Sequence, residues 1–205
     1  MVRNTKENAE LTRLRIIDAA RQVFLSKGVS RTSMEQIAAE AGVTRGAIYW
    51  HFANKKELFT AMREQVFLPL IDRMDDNLHV DHDGDPLAKI AEFLSGTIDM
   101  LNESLETRQT YEIMMIKCEY VDDLAEVLDQ MLNNCTCITE KIEQLYERAK
   151  NKGQLKPSQS PTQLATDTHL FFIGLLHMWV KDLDGNRFRN RAIELINTHI
   201  NLRRN

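Results

Sequence analysis

Arg45, Tyr49 and His51, preceded by Thr44 and followed by Lys55, crowd cationic, hydroxyl and aromatic groups into one short stretch of a 205-residue chain. Such groups suit hydrogen bonding to base edges and phosphates. Arg45 carries the planar donor fork that matches the two acceptors on a guanine edge, and is the candidate for base reading. Ser33, Thr44, Tyr49, His51 and Lys55 are candidates for holding phosphates and setting register. Gly46 belongs to the same candidate surface, and Trp50 either buttresses the element or touches the sugar–phosphate backbone. Arrangements that make and break bonds are missing: the chain has no Gly-rich phosphate loop, no His pair at metal-ligand spacing and no G-x-S-x-G. Glu112 and Glu119, seven apart, would share a helical face if one helix carried both, and read as surface or pocket charges. The chain is therefore expected not to be an enzyme and to need no cofactor or metal.

The elements that must position these groups are legible around them. Ser33 with Gln36 has the spacing of a capping box, so a helix starts there, with Met34, Ile37, Ala38 and Ala41 on one face. Gly42 falls where a left-handed residue stops that helix. The Thr44 hydroxyl can cap the next one, in which Ala47, Ile48 and Phe52 point inward and Arg45, Tyr49 and His51 stay free. Two short helices about a glycine turn, with one polar Arg-bearing face, fit a DNA-binding helix-turn-helix over residues 33–52. Before it, residues 8–26 read as an amphipathic helix with Leu11, Leu14, Ile17, Ala20 and Phe24 on one side. Gly28 ends that helix, and Val29 is expected to fold back on Phe24 in a Schellman cap. After it, Asn54 and Glu57 form a second capping-box spacing that opens a connector helix over 54–78, with Lys55 facing a phosphate.

Charge divides the chain in the same place. Residues 1–63 hold eleven Lys/Arg against six Asp/Glu, or +5, and the remainder carries −9. A basic end on an acidic body points to nucleic acid as a partner. Three cysteines (Cys118, Cys135, Cys137) without C-x-x-C spacing read as small buried apolar groups in a reducing cytoplasm. Lys, Glu and Arg interrupt the first apolar positions, so no secretory signal is expected. The longest nearly apolar run, residues 170–180, is far short of the ~20 residues that span a bilayer. A cytoplasmic protein without a membrane partner is expected.

The rest reads as helix, giving an all-α chain of about nine helices in two domains, 1–53 for DNA binding and 54–205 for the body. The connector stripe is Leu58, Met62, Val66, Leu70 and Met74. A loop at 81–85 precedes Pro86, which opens a helix bearing Ile90, Phe93, Leu94, Ile98 and Leu101. A short helix near 107–117 bears Tyr111, Met114 and Met115. Leu124, Leu128, Met131, Cys135, Ile138, Ile142, Leu145 and Ala149 repeat at steps of four and three, the seam of a helix packed in a bundle, closed by Gly153 and Pro157. Residues 162–182 and 187–202 form the last two helices. The first is apolar nearly all round from Leu170 to Val180, so one side is expected to serve its own domain and the other a second subunit. A two-fold dimer would also set two reading helices one groove turn, about 34–36 Å, apart.

The run from Gly42 to Phe52, with Asn54, Lys55, Leu58 and Phe59 after it, resembles the N-terminal domain of TetR-family transcriptional repressors. The opening Met1–Lys6 and the run Lys117-Cys118-Glu119-Tyr120 are similar to the AcrR/TtgR branch, which controls multidrug efflux pumps. The resemblance implies a homodimer that binds double-stranded operator DNA and is released by a hydrophobic small-molecule inducer. It implies an interface on the last two helices, at Leu170, Phe171, Leu175, Met178, Trp179, Ile193, Ile196 and Ile200. It also implies a ligand site among Val66, Phe67, Leu70, Phe93, Leu94, Thr97, Tyr111, Met115, Cys135, Ile138, Ile142, His169, Phe172, Ile173 and Leu176. Some relatives place polar or acidic groups where Tyr111, Met115 and Ile173 stand. The pocket here should be more apolar, with Tyr111, Thr97 and His169 as its polar handles. The alternative is a dimeric DNA-binding activator or architectural factor without small-molecule control.

Overall fold

The computed structural model describes the backbone at residues 2–79 and 84–205, and side chains at 6–66, 69 and 84–205. Among these residues nine α-helices follow one another: α1 (Val2–Lys27), α2 (Met34–Glu40), α3 (Arg45–His51), α4 (Lys55–His79), α5 (Pro86–Glu103), α6 (Leu105–Glu112), α7 (Ala125–Asn151), α8 (Pro161–Lys181) and α9 (Ala192–Asn201). A π-helical turn, Ile113–Lys117, follows α6, and short 3-10 turns precede α7 and α9. The expected helices are all present. No helix among the described residues is long and apolar enough to cross a membrane.

The chain forms two compact units whose division differs from the expected boundary at 53/54. Met1–Leu68 and Gln109–Leu128 make one; Pro69–Arg108 and Asp129–Asn205 make the other. The reason lies in contacts between residues far apart in sequence. The Val29 amide donates to the Lys117 carbonyl at 2.9 Å. Phe59 meets the Tyr120 ring edge-on, Lys56 pairs with Glu126 at 2.6 Å, and Arg63 donates to the Val127 carbonyl.

In the first unit Ile16, Ile17, Ala20, Val23 and Phe24 of α1 pack with Ile37, Ile48, Phe52, Leu58, Phe59 and Met62. Leu11 and Leu14, expected in this row, are exposed. With seven residues, α2 is about 10 Å long and cannot cover the whole of α1, which at 26 residues runs about 39 Å. Gly28, at φ +81°, ends α1 in an αL cap whose amide donates to Phe24. The expected Schellman bond from Val29 is replaced by the one to Lys117. A true Schellman pair closes α2 instead, from Gly42 to Ala39 and from Val43 to Ala38.

In the second unit, Asp85 caps α5 through the Leu87 and Ala88 amides and pairs with Arg204 at 2.5 Å, tying the chain end to the start of α5. Ile90, Leu94, Ile98 and Leu101 of α5, Ala192, Ile196 and Ile200 of α9, and Phe172, Leu176, Trp179 and Val180 of α8 are buried. Leu175, Trp179, Ile196 and Ile200, expected at an interface, are therefore corrected: they are buried within the chain itself. Ile173 is corrected in the other direction, because at 37% exposure it joins Leu170 and Met178 on the outer face of α8, with Ile193 exposed on α9. The α7 seam is also only half right. Ile142, Leu145 and Ala149 are buried, but Leu128 is exposed and Met131, Cys135 and Ile138 are half-buried.

Thr168 joins three helices: the Tyr146 hydroxyl lies 2.7 Å and His199 Nε2 3.2 Å from its oxygen. The His199 ring stacks on Phe171 at 3.8 Å. Burial first, and Arg203 second, push the His199 pKa down to about 4. The unfolded chain, with an ordinary histidine, takes up this proton at higher pH than the fold does. Stability is thus complete above about pH 6.5 and falls as acid approaches pH 4. Denaturant titration at pH 7 and pH 4.5 should show a loss of about 2 kcal/mol from this group, and His199→Gln should remove that part of the pH dependence. An undiminished slope in the variant would assign it elsewhere.

Candidate nucleic-acid interface

The helix pair is held by backbone chemistry at each end. Ser33 Oγ accepts from the Gln36 amide at 3.3 Å while Gln36 Oε1 accepts from the Ser33 amide at 3.1 Å, closing the expected capping box. Thr44 Oγ1 accepts from the Ala47 amide at 3.2 Å. Both hydroxyls spend a lone pair on the cap; the Ser33 O–H turns to the Glu35 carboxylate, while Thr44 keeps its own to donate outward. Ile48 and Phe52 anchor α3 in the core. At 100° per residue, Arg45, Tyr49, Gly46 and Trp50 then fall on a continuous arc of about 140°.

That arc is open to solvent: Arg45 is largely exposed, Tyr49 partly, and Trp50 shows 73% of its surface. Packing against the protein does not account for Trp50, whose ring meets the edge of His51 at 4.6 Å and otherwise faces outward. Gly46, in the middle of the arc, has nothing within 4 Å of where a Cβ would stand, so no internal contact among the described residues requires glycine there. His51 is half-buried, and burial followed by the Arg13 charge lowers its pKa. Arg13, which the sequence did not single out, lies 5.1 Å over the Phe52 ring. Glu35 is a second residue missed. Its carboxylate lies 3.5 Å from both Arg45 Nε and the Tyr49 hydroxyl, a convergence across the glycine turn that has no signature in residue spacing.

Lys55 is corrected. Its ammonium turns inward and donates to the carbonyls of Val29 at 2.8 Å, Thr32 at 2.9 Å and Ser30 at 3.3 Å. All three donors are engaged, leaving none for a phosphate. The αL cap at Gly28 points these carbonyls at one place, and only a long flexible cation reaches it. Burial lowers the Lys55 pKa. Asn54 caps α4 at the Glu57 amide, while Glu57 reaches back to the Ala53 amide rather than to that of Asn54.

Two capped short helices, one anchored by Ile48 and Phe52 and baring an Arg-, Tyr- and Trp-lined arc, form a helix-turn-helix. Residues 16–62 match the bacterial regulatory proteins of the tetR family, and residues 85–204 the C-terminal region of MAATS-type transcriptional repressors. The chain belongs to the TetR family. Its members are DNA-binding transcription factors, not enzymes. The chain is 35% identical over 191 residues to the HTH-type transcriptional regulator TtgR of Pseudomonas putida, a match covering 88% of this chain and 85% of that one. It is similar in structure to NalD, the secondary repressor of the MexAB-OprM multidrug efflux pump in Pseudomonas aeruginosa. That match has a TM-score of 0.83 and 34% identity, and covers 94% of this chain and 95% of NalD. The SmeT–triclosan complex matches with a TM-score of 0.81 and 27% identity, covering 95% and 92% of the two chains.

A TetR-family body also bears the candidate ligand residues. In the second unit Phe93, Leu94, Thr97, Ile142, His169, Phe172 and Leu176 are buried, and Cys135 and Ile138 are half-buried. Thr97 spends its hydroxyl on the Phe93 carbonyl, so it is not a free handle. His169 Nε2 is buried with no hydrogen-bond partner among the described residues, and burial lowers its pKa, leaving a neutral ring. In the first unit Val66 and Tyr111 are buried and Met115 is half-buried. The side chains of Phe67, Leu70 and Met74, those of the opening residues 1–5, and the loop 81–83 lie outside the described residues. Glu112 and Glu119 share no helix, since α6 and its π-turn stop at Lys117 and Ser30 approaches Glu119. Cys118 is no reactive thiolate: burial pushes its pKa up to about 11.

Lys55→Met separates a structural from a phosphate-binding lysine. Three carbonyls lose their donor, so unfolding free energy should fall by about 1–2 kcal/mol while the salt dependence of DNA binding keeps its slope. A slope reduced by about one with unchanged stability would restore the phosphate contact.

Proposed function

We propose that this chain is a dimeric repressor of a drug-efflux operon, released from a palindromic operator by apolar, drug-like compounds. The observation that carries the DNA reading is the exposed Arg45–Tyr49–Trp50 arc around the bare backbone of Gly46. Glycine inside a helix costs roughly 0.5–1 kcal/mol relative to alanine, and here nothing described inside the protein asks for it. A duplex backed against α3 does. Arg45 supplies the base contact, and Ser33, Thr44, Tyr49, Trp50 and His51 line the phosphates.

The outer face of α8, Leu170, Ile173, Gly174 and Met178, joins Ile193 of α9 as the surface for the second subunit. Gly174 is open on its own chain, as Gly46 is, and leaves room for close helix approach. The efflux target follows from the likeness to NalD. The inducer reading follows from the likeness to SmeT, which was solved with triclosan, and from the unpartnered neutral ring of His169. An imidazole nitrogen without a proton accepts from a phenolic hydroxyl while Phe172 and Leu176 take the apolar body. Inducer binding biases the dimer between two separations of its reading helices. A shift of the α4 N-terminus reaches the 29–32 turn, and so the start of α2, through Lys55. A cytoplasmic location completes the reading.

Gly46→Ala should raise stability by roughly 0.5–1 kcal/mol yet weaken binding to a duplex selected from a random-sequence pool. Arg45→Ala should cost on the order of 1–3 kcal/mol on that duplex and relax base preference. Triclosan should weaken binding by roughly 5- to 150-fold, with His169→Leu blunting the response. A protein that sediments as a single subunit, or selects no duplex at low salt, would refute the DNA reading. An unaltered complex with triclosan bound would refute the induction reading.

A further inference from the structure

We propose that Glu35 is the positioning residue that sets base discrimination by Arg45; the inference rests on the DNA reading above. Glu35 is in the first turn of α2 and Arg45 opens α3. One carboxylate oxygen lies 3.5 Å from Arg45 Nε and 3.5 Å from the Tyr49 hydroxyl, and the Arg45 guanidinium sits 5.8 Å over the Tyr49 ring. Three side chains thus brace one another on the exposed face, across the turn that joins the helices.

The geometry divides the guanidinium's donors. The closest approach of Glu35 is at Nε, on the side edge of the guanidinium, and the end formed by the two Nη groups is the one that can reach the two acceptors of a guanine edge together. A braced Arg45 gives up less rotamer freedom on binding than a free one. The same carboxylate carries a negative charge at a surface facing phosphates. Contact with duplex DNA of any sequence is therefore opposed, and only a sequence that satisfies Arg45 offsets the opposition. Specificity gains from both effects: the right base is bound by a prepared donor, and wrong sequences meet repulsion. Both contacts are long for hydrogen bonds and both groups are half-exposed or more, so the brace yields to DNA rather than competing with it.

The test compares affinities for the selected duplex and for a scrambled duplex of the same composition, for wild type, Glu35→Ala, Glu35→Gln, Arg45→Ala and the Glu35→Ala/Arg45→Ala double variant. Melting curves establish that each is folded. Glu35→Ala should bind the scrambled duplex roughly two- to fivefold more tightly and lose roughly three- to tenfold in discrimination. Glu35→Gln keeps an acceptor but not the charge, so it should recover part of the discrimination while keeping the tighter non-specific binding. In the Arg45→Ala background, Glu35→Ala should change discrimination no further. Equal changes on both duplexes, or a discrimination loss that persists without Arg45, overturn the proposal. If Arg45→Ala itself leaves discrimination intact, it is the Arg45 reading that fails; if Arg45→Ala lowers it and Glu35→Ala does not, only the role of Glu35 falls.

Discussion

The turn at 28–32 is the constraint on which the DNA-binding unit depends. Gly28 breaks α1 with a positive φ, and the residues after it turn their carbonyls toward a common point. Lys55 fills that point with three donors. The Val29 amide, facing the other way, is taken by the Lys117 carbonyl. Backbone groups that would otherwise need water are thus satisfied from opposite sides by residues far away in sequence. Thr32 and Ser33 follow directly, so the start of α2 and everything α3 presents inherit this position. A cation that looks like a phosphate ligand in the sequence is here a tether.

Given that tether, the unit needs little more. Seven-residue helices are too short to persist by propensity, and their stability comes from caps and from the row of Ile37, Ile48 and Phe52 against α1 and α4. Anchoring α3 through Ile48 and Phe52 commits the opposite arc to solvent. Its side chains are arranged by one another, with Glu35 between Arg45 and Tyr49, and Trp50 against His51. A surface organised by exposed polar and aromatic contacts can exchange those contacts for DNA at small cost, because Arg45, Glu35, Tyr49 and Trp50 are all exposed.

The second unit works by different chemistry. Its interior is apolar, with Thr168 holding Tyr146 and His199, and with the neutral ring of His169 among apolar groups. The α8–α9 turn is built on Asp182, which accepts from the amides of residues 187, 188 and 189. Arg189 lies 4.4 Å over the buried Trp179 ring and donates to its carbonyl. These contacts fix α8 with Trp179 inward, and that one orientation decides which apolar residues remain outside.

Local signals carried the sequence reading a long way. Ser33 with Gln36, Gly42, Thr44 and Pro86 act within four residues of themselves, so their spacing is their structure, and every helix could be placed from them and from apolar periodicity. The exposed arc of α3 was legible for the same reason, since anchoring Ile48 and Phe52 leaves Arg45, Gly46, Tyr49 and Trp50 on the free side. Periodicity failed where it was uninformative or incomplete. The run from Leu170 to Val180 is apolar on all sides and does not say which side faces in; the fold buries Trp179 and leaves Ile173 exposed. Leu11 and Leu14 kept the helical period after the partner helices had run out. The residues whose partners are distant, Lys55, Glu35 and Lys117, could be given roles only by the folded chain, because a charge or a carbonyl in a sequence has no direction until tertiary packing supplies one.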